Sequence, residues 1–225
     1  MEQGKTALVF GATGLIGREL TNLLLSDSRY TIVKVFVRKS LQINHPKLQE
    51  VIDELKEPEA ISHEISGDHL FCCLGTTIKK AGSEKKFEWV DLELPTRIAD
   101  IASSNKISRF IIISSIGAST NSATFYLKTK GVMESRIMGK KFSKIHILRP
   151  SLLMGKREEF RIGEEAGKVV MRFLSFLFLG SLRKYKPIES GRVARAIIIL
   201  ANSDYPDVIV ESDQIDELVK LSKNQ

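Results

Sequence analysis

The sequence predicts an α/β fold, a doubly wound parallel sheet with a small C-terminal cap. Three observations predict it. Apolar, β-rich runs alternate with helical stretches; a glycine triplet lies between the first run and the first helix; and the alternation stops after Arg149-Pro150. The chain has 225 residues, 43% of them hydrophobic and 27% charged, which is the balance of a compact globular chain and not of a disordered one. At ~150 residues per domain this is one large domain or one domain with an appendage.

The strand candidates are Thr6–Phe10, Thr31–Val37, Leu48–Ile52, His69–Leu74, Arg109–Ser114 and Ile145–Leu148. None alternates strictly between apolar and polar, as expected of strands covered by helices on both faces. Leu15–Ser26 reads as a helix with Leu20, Leu23 and Leu24 on one side, and Thr124–Met138 as another. Lys85–Ser104 carries Trp89, Leu92, Ile98 and Ile101 at helical spacing, with Pro95 as a first-turn signal inside it. Past residue 150 the pattern predicts helices at Glu158–Leu179, Gly191–Ala201 and Asp213–Leu221 and a short strand at Asp207–Val210. The expected organisation is a nucleotide-binding core over 1–150 and a substrate-side cap over 151–225, integrated with the core.

The nucleotide assignment comes from Gly11-Ala-Thr13-Gly14-Leu15-Ile16-Gly17. Gly11 permits a tight turn, Gly14 lets the backbone approach a diphosphate, and Gly17 lets strand and helix pack closely. The amides of the following helical turn and the helix dipole then face the anion, which is the Rossmann arrangement. The end of the second strand selects the dinucleotide. An NAD site places an acid there for the ribose 2′-hydroxyl, whereas this chain has Arg38-Lys39. Arg38 offers a fork to a 2′-phosphate and Lys39 adds charge, so the expected cofactor is NADP(H) rather than NAD(H).

Tyr126 and Lys130 share one face of a predicted helix. A free tyrosine keeps its proton at neutral pH, and an ammonium one turn away favours the phenolate. Ser114-Ser115 ends the fifth strand, at the sheet edge where ligands of open parallel sheets bind. A hydroxyl there can hold a substrate carbonyl while Tyr126 gives or takes a proton. Either serine is a candidate, Ser115 first.

The segments GATGLIG at 11–17, FCCLGTT at 71–77, FIIISSIGA at 110–118, YLKTK at 126–130 and LRPSLLMG at 148–155 resemble the short-chain dehydrogenase/reductase superfamily. The Cys-Cys-Leu-Gly-Thr-Thr run is similar to the atypical branch containing Tat-interacting-protein-like NAD(P)-binding oxidoreductases. That resemblance implies an NADP-binding Rossmann fold and a serine–tyrosine–lysine relay. Ser115 would polarise the carbonyl, Tyr126 would be the acid/base, and Lys130 would hold the nicotinamide ribose. Leu74, Gly75 and Thr76 would line the cofactor, as would Ser114, and Arg149-Pro150 would open the loop beside the nicotinamide. The asparagine that completes many such relays has no counterpart; the matching helix offers Asp91.

Other features point away from different chemistries. The excess of 34 basic over 27 acidic residues, a net +7, is spread along the chain without the aromatic interleaving of a nucleic-acid surface. The four histidines never fall at metal-ligand spacing, and Lys79, Lys80 and Glu84-Lys85-Lys86 read as solvated surface. Cys72 and Cys73, adjacent in an apolar run, are expected to be free thiols in a reducing cytoplasm. The apolar stretch Val169–Leu179 is too short to span a bilayer. Its Phe173, Phe176 and Phe178 read as core or cap, with a membrane-surface helix as the alternative. The functional expectation is an NADP(H)-dependent oxidoreductase of a small carbonyl or alcohol. The alternatives are a nucleotide-sugar epimerase or dehydratase, and a redox sensor that binds the dinucleotide without turnover.

Overall fold

The computed structural model describes residues 4–154 and 180–222. The predicted helix at Glu158–Leu179, with its phenylalanines, lies outside the described residues. Seven strands form one sheet: β1 (Lys5–Phe10), β2 (Tyr30–Val37), β3 (Leu48–Ile52), β4 (His69–Cys72), β5 (Arg109–Ile113), β6 (Lys144–Arg149) and, from the C-terminal segment, β9 (Ile209–Glu211). Their spatial order is β3-β2-β1-β4-β5-β6-β9 and every pairing is parallel. The order reverses between β1 and β4, so a crevice opens at the carboxyl ends of those two strands. The short strands β7 (Leu153–Met154) and β8 (Ile188–Glu189) pair separately.

Side chains that alternate across β1 lead into two cores. Ala7 and Val9 join the helices α1 (Leu15–Ser26), α6 (Ser190–Ala201) and α7 (Ser212–Leu221) on one face. Leu8 and Phe10 join α4 (Leu94–Ser104) and α5 (Phe125–Met138) on the other. This double cover explains why β1, β4 and β5 read as continuous apolar runs. In the first layer α1 packs closely against α6, which brings residues near 195 back onto the first helix. The described part of the C-terminal segment therefore adds a strand to the sheet and two helices to one of its layers.

Two elements differ from the sequence expectation. β4 ends at Cys72, so Cys73–Thr77 is loop at the reversal point, ahead of the short helix α2 (Ile78–Ala81). The predicted 85–104 helix is interrupted: α3 (Glu84–Glu88) runs into a π-helical turn at Trp89–Glu93 before α4 begins. Pro95 is the physical reason. It lacks an amide proton, and in a regular helix its ring would strike the carbonyl four residues earlier. The turn widens at that point, and Asp91 is carried inward to 1% exposure.

Candidate active site

The glycine loop closes tightly over the end of β1. Gly11 has φ +82°, and a Cβ built on it would lie 2.6 Å from the Cys73 carbonyl carbon. A Cβ on Gly17 would lie 2.1 Å from the Gly11 oxygen, so neither position accepts a side chain without moving backbone. The Gly14 amide donates to the Gly11 carbonyl at 2.9 Å. Gly14 is also the N-cap of α1, where no side chain caps the helix and no acid occupies the first turn. The loop is thus a cradle that fits an anion: the first-turn amides have no side-chain cap, and no carboxylate competes for them. Thr13 and Gly14 are exposed, Leu15 is half-buried and Ile16 packs inward. A cavity of about 260 Å³ adjoins the loop, lined by Ala12, Thr13, Arg18, Asn22, Leu41 and Ile43. Arg38 and Lys39 follow β2 directly and are exposed.

Across the reversal point, the loop after β4 meets the helix that carries the tyrosine. Lys130 Nζ lies 2.7 Å from Asp91 Oδ1, with the two side chains 4% and 1% exposed. The other carboxylate oxygen of Asp91 accepts the Thr76 amide at 2.9 Å. A Cβ on Gly75 would sit 3.5 Å from Asp91 Oδ1 and 4.0 Å from Lys130 Nζ. Gly75 and Thr76 thus come together with Lys130, and Asp91 is the residue that joins them. Leu74, beside them, is half-buried. The separation of 39 positions between Asp91 and Lys130 hides this pair from any local reading of the sequence, although opposite charges on two predicted helices are its signal.

Tyr126, four residues before Lys130, is half-buried with its ring 5.4 Å from that of fully buried Phe87. The two serines differ in access. The Ser114 amide donates to the Leu148 carbonyl at 2.7 Å, and its hydroxyl is buried without a hydrogen-bond partner among the described residues. Ser115 is half-buried, its Oγ 3.5 Å from the Ile116 carbonyl oxygen.

Arg149 stands differently from the expectation. Its guanidinium is taken up by Glu134, through Nε at 3.0 Å and Nη2 at 2.5 Å, and by Glu211 through Nη1 at 3.1 Å. Pro150 is buried, and its carbonyl accepts the Ile116 amide at 3.1 Å. Neither glutamate was among the sequence candidates.

His69, Tyr30 and His146 have hydrogen-bond partners within the fold. His69 Nδ1 lies 2.8 Å from the Tyr30 hydroxyl, which also accepts from Asn202 at 2.9 Å. Burial pushes His69 down to about 4 and Tyr30 up to about 12. His146 Nδ1 is 2.9 Å from the Asp207 carbonyl, and its burial also disfavours the charged form. Burial pushes the Cys72 thiol up to about 12, and no cysteine is bonded to another. Among the described residues no group of three or more His, Cys, Asp or Glu could hold a metal ion, and no helix is long and apolar enough to cross a membrane.

The strand order, the glycine cradle and the loop beyond β4 define an NAD(P)-binding Rossmann protein of the short-chain dehydrogenase/reductase kind. The chain belongs to the NAD(P)H-binding family, whose model matches residues 11–169. It is 30% identical to Protein FMP52, mitochondrial, of Debaryomyces hansenii over 96% of this chain and 98% of that protein. It is 32% identical to Protein HTATIP2 of Rattus norvegicus over 80% of this chain and 72% of that one. Among solved structures it resembles the Bordetella bronchiseptica enzyme WbmG in complex with NAD, at a TM-score of 0.70 and 11% identity, covering 98% of this chain and 79% of the other. It also resembles the UDP-N-acetylglucosamine 4-epimerase of Methanobrevibacter ruminantium M1, at a TM-score of 0.69 and 15% identity, covering 99% and 83%. At those identities the two structures speak for the fold alone.

The relatives correct one expectation. The free thiols gave the expectation of a cytoplasmic location, yet FMP52 proteins of several fungi are named mitochondrial. The inference failed because free thiols separate reducing from oxidising compartments and do not tell one reducing compartment from another.

Proposed function

We propose that the protein is an NADP(H)-dependent oxidoreductase of a small carbonyl or alcohol, working through Ser115, Tyr126 and Lys130. The observation that carries this reading is the Lys130–Asp91–Thr76 junction. It ties the tyrosine helix to the loop after β4, at the same sheet edge as the glycine cradle. When bound, the dinucleotide supplies the hydride chemistry. Gly11, Thr13, Gly14, Leu15, Ile16 and Gly17 would hold its diphosphate, and Gly75 and Thr76 would line its other half. Arg38 and Lys39, exposed directly after β2, would hold a 2′-phosphate, and the cavity wall adds Arg18. These cations, and the absence of an acid after β2, favour NADP(H) over NAD(H).

The protein's own work is positioning and proton transfer. Ser115, the more accessible serine, donates a hydrogen bond to the substrate oxygen. Tyr126 gives that oxygen its proton in reduction and takes it in oxidation. Lys130, fixed by Asp91, directs its ammonium towards the ribose hydroxyls and the tyrosine oxygen. Phe87 holds the Tyr126 ring from behind.

Turnover of NADPH with a panel of aldehydes and ketones tests the reading. Tyr126→Phe should lower kcat by about 100-fold or more while leaving nucleotide affinity within a few fold. Wild-type protein that binds NADPH and turns over no carbonyl would make it a redox sensor. A nucleotide-sugar substrate is the weaker alternative, because the residues after 150 offer only about 75 positions to grip a sugar nucleotide.

A further inference from the structure

Arg149 is the last residue of β6, and its two neighbouring carbonyls both reach into the serine segment. Leu148 accepts the Ser114 amide at 2.7 Å and Pro150 accepts the Ile116 amide at 3.1 Å. The peptides on either side of Arg149 therefore bracket Ser115. The side chain of the same residue turns to the tyrosine helix. Its Nε and Nη2 make a forked contact with the two oxygens of Glu134, at 3.0 and 2.5 Å. Glu134 is four residues beyond Lys130 and eight beyond Tyr126, so all three lie along one face of α5.

Glu134 is 2% exposed, and among the described residues Arg149 is the only cation at salt-bridge distance from it. A carboxylate buried to that degree must be paired. The fork fixes both the distance and the rotation between the two side chains, which a lysine's point charge would not do. The third nitrogen, Nη1, holds Glu211 at 3.1 Å, and Glu211 caps α7 through a reciprocal pair with Gln214. The C-terminal strand is thereby locked behind the same guanidinium.

We infer that Arg149 is a positioning residue of the relay: from one residue it sets the register between the serine-bearing end of β5 and the tyrosine–lysine face of α5. The inference rests on the proposed function for its catalytic consequence and on the structure alone for its mechanical one. Arg149 touches neither substrate nor a reacting atom in this role; it acts through Ser115 and through the helix.

Arg149→Lys, which keeps the charge and loses the fork, is the discriminating variant. It is examined in the full chain by amide hydrogen exchange, nucleotide affinity and steady-state kinetics. Exchange in residues 114–118 and 125–134 should rise together by about 10-fold, with β1 to β4 unchanged. The kcat should fall about 10- to 100-fold from misplacement of the relay, while the Kd for NADPH shifts less than about 3-fold. Glu134→Gln should reproduce the rise in these two segments, and adding it to Arg149→Lys should raise exchange there little further, because both break the Arg149–Glu134 fork. If Arg149→Lys does not fold, Glu134→Gln alone decides by the same exchange pattern. Wild-type exchange in both segments would overturn the inference, as would faster exchange in only one of them. So would a loss confined to NADPH affinity, which would make Arg149 a cofactor contact. If the wild-type protein turns over no carbonyl, the proposed function fails and the exchange result still decides on Arg149.

Discussion

Replacing Asp91 with alanine would leave the Lys130 ammonium, 4% exposed, with no carboxylate beside it and would also free the Thr76 amide. Removing one partner of a buried ion pair costs about 3–5 kcal/mol, because the remaining charge is stranded in a poorly polarisable site. For a chain of this size about 1 kcal/mol moves the melting temperature by roughly 2–4 °C. Asp91→Ala should therefore melt about 6–20 °C below the wild type, measured by calorimetry or circular dichroism at pH 7. The double replacement Asp91→Leu with Lys130→Met removes both charges and should recover most of that loss, since apolar side chains of similar size often replace a buried pair without penalty. A single mutant that melts within about 2 °C of the wild type would show that Lys130 is hydrated or paired elsewhere, and the junction that ties the tyrosine helix to the β4 loop would have to be abandoned.

Arg38→Asp should weaken NADPH binding by about 10- to 100-fold and NADH binding far less, since only NADPH carries the 2′-phosphate that a guanidinium would hold. Equal losses for both, measured by fluorescence titration, would remove Arg38 from that role. His69 gives a stability slope with pH. Its folded value, about 4, lies below the ordinary 6.5, so the unfolded chain binds the extra proton in that window. Its contribution is complete above pH 6.5 and is lost as pH falls towards 4, reaching about 2 kcal/mol by pH 5. Urea unfolding of wild type and His69→Gln between pH 7 and pH 5 checks this: the wild type should lose that much more, and parallel slopes would contradict it.

What could be read from the sequence was whatever depends on neighbours along the chain. The glycine loop is legible because its demands are largely local: Gly17 by the Gly11 carbonyl six residues earlier, and Gly11 by its own φ of +82°. The strands β1, β4 and β5 are legible because double burial leaves apolar runs. Pro95 signalled a first helical turn, but the π-helical turn before it depends on how the ring and the carbonyl settle, and it is that turn which sends Asp91 inward. The pairings Lys130–Asp91, Arg149–Glu134 and Arg149–Glu211 join residues 39, 15 and 62 positions apart, and each needs the sheet to be assembled first. Charged residues on predicted helices look like solvated surface until the fold closes over them, which is why Glu134 passed unnoticed.

Binding of nicotinamide nucleotides to the full-length wild-type chain, by calorimetry with Gly17→Ala as the control, tests the central claim most directly. The account predicts saturable one-to-one binding of NADP(H) and stabilisation of about 2.7 kcal/mol at a hundred times its Kd. It also predicts that Gly17→Ala abolishes both, because the added methyl would displace the Gly11 carbonyl from the cradle. A wild-type chain that binds neither NADP(H) nor NAD(H), or a Gly17→Ala variant that binds as well as wild type, would contradict it.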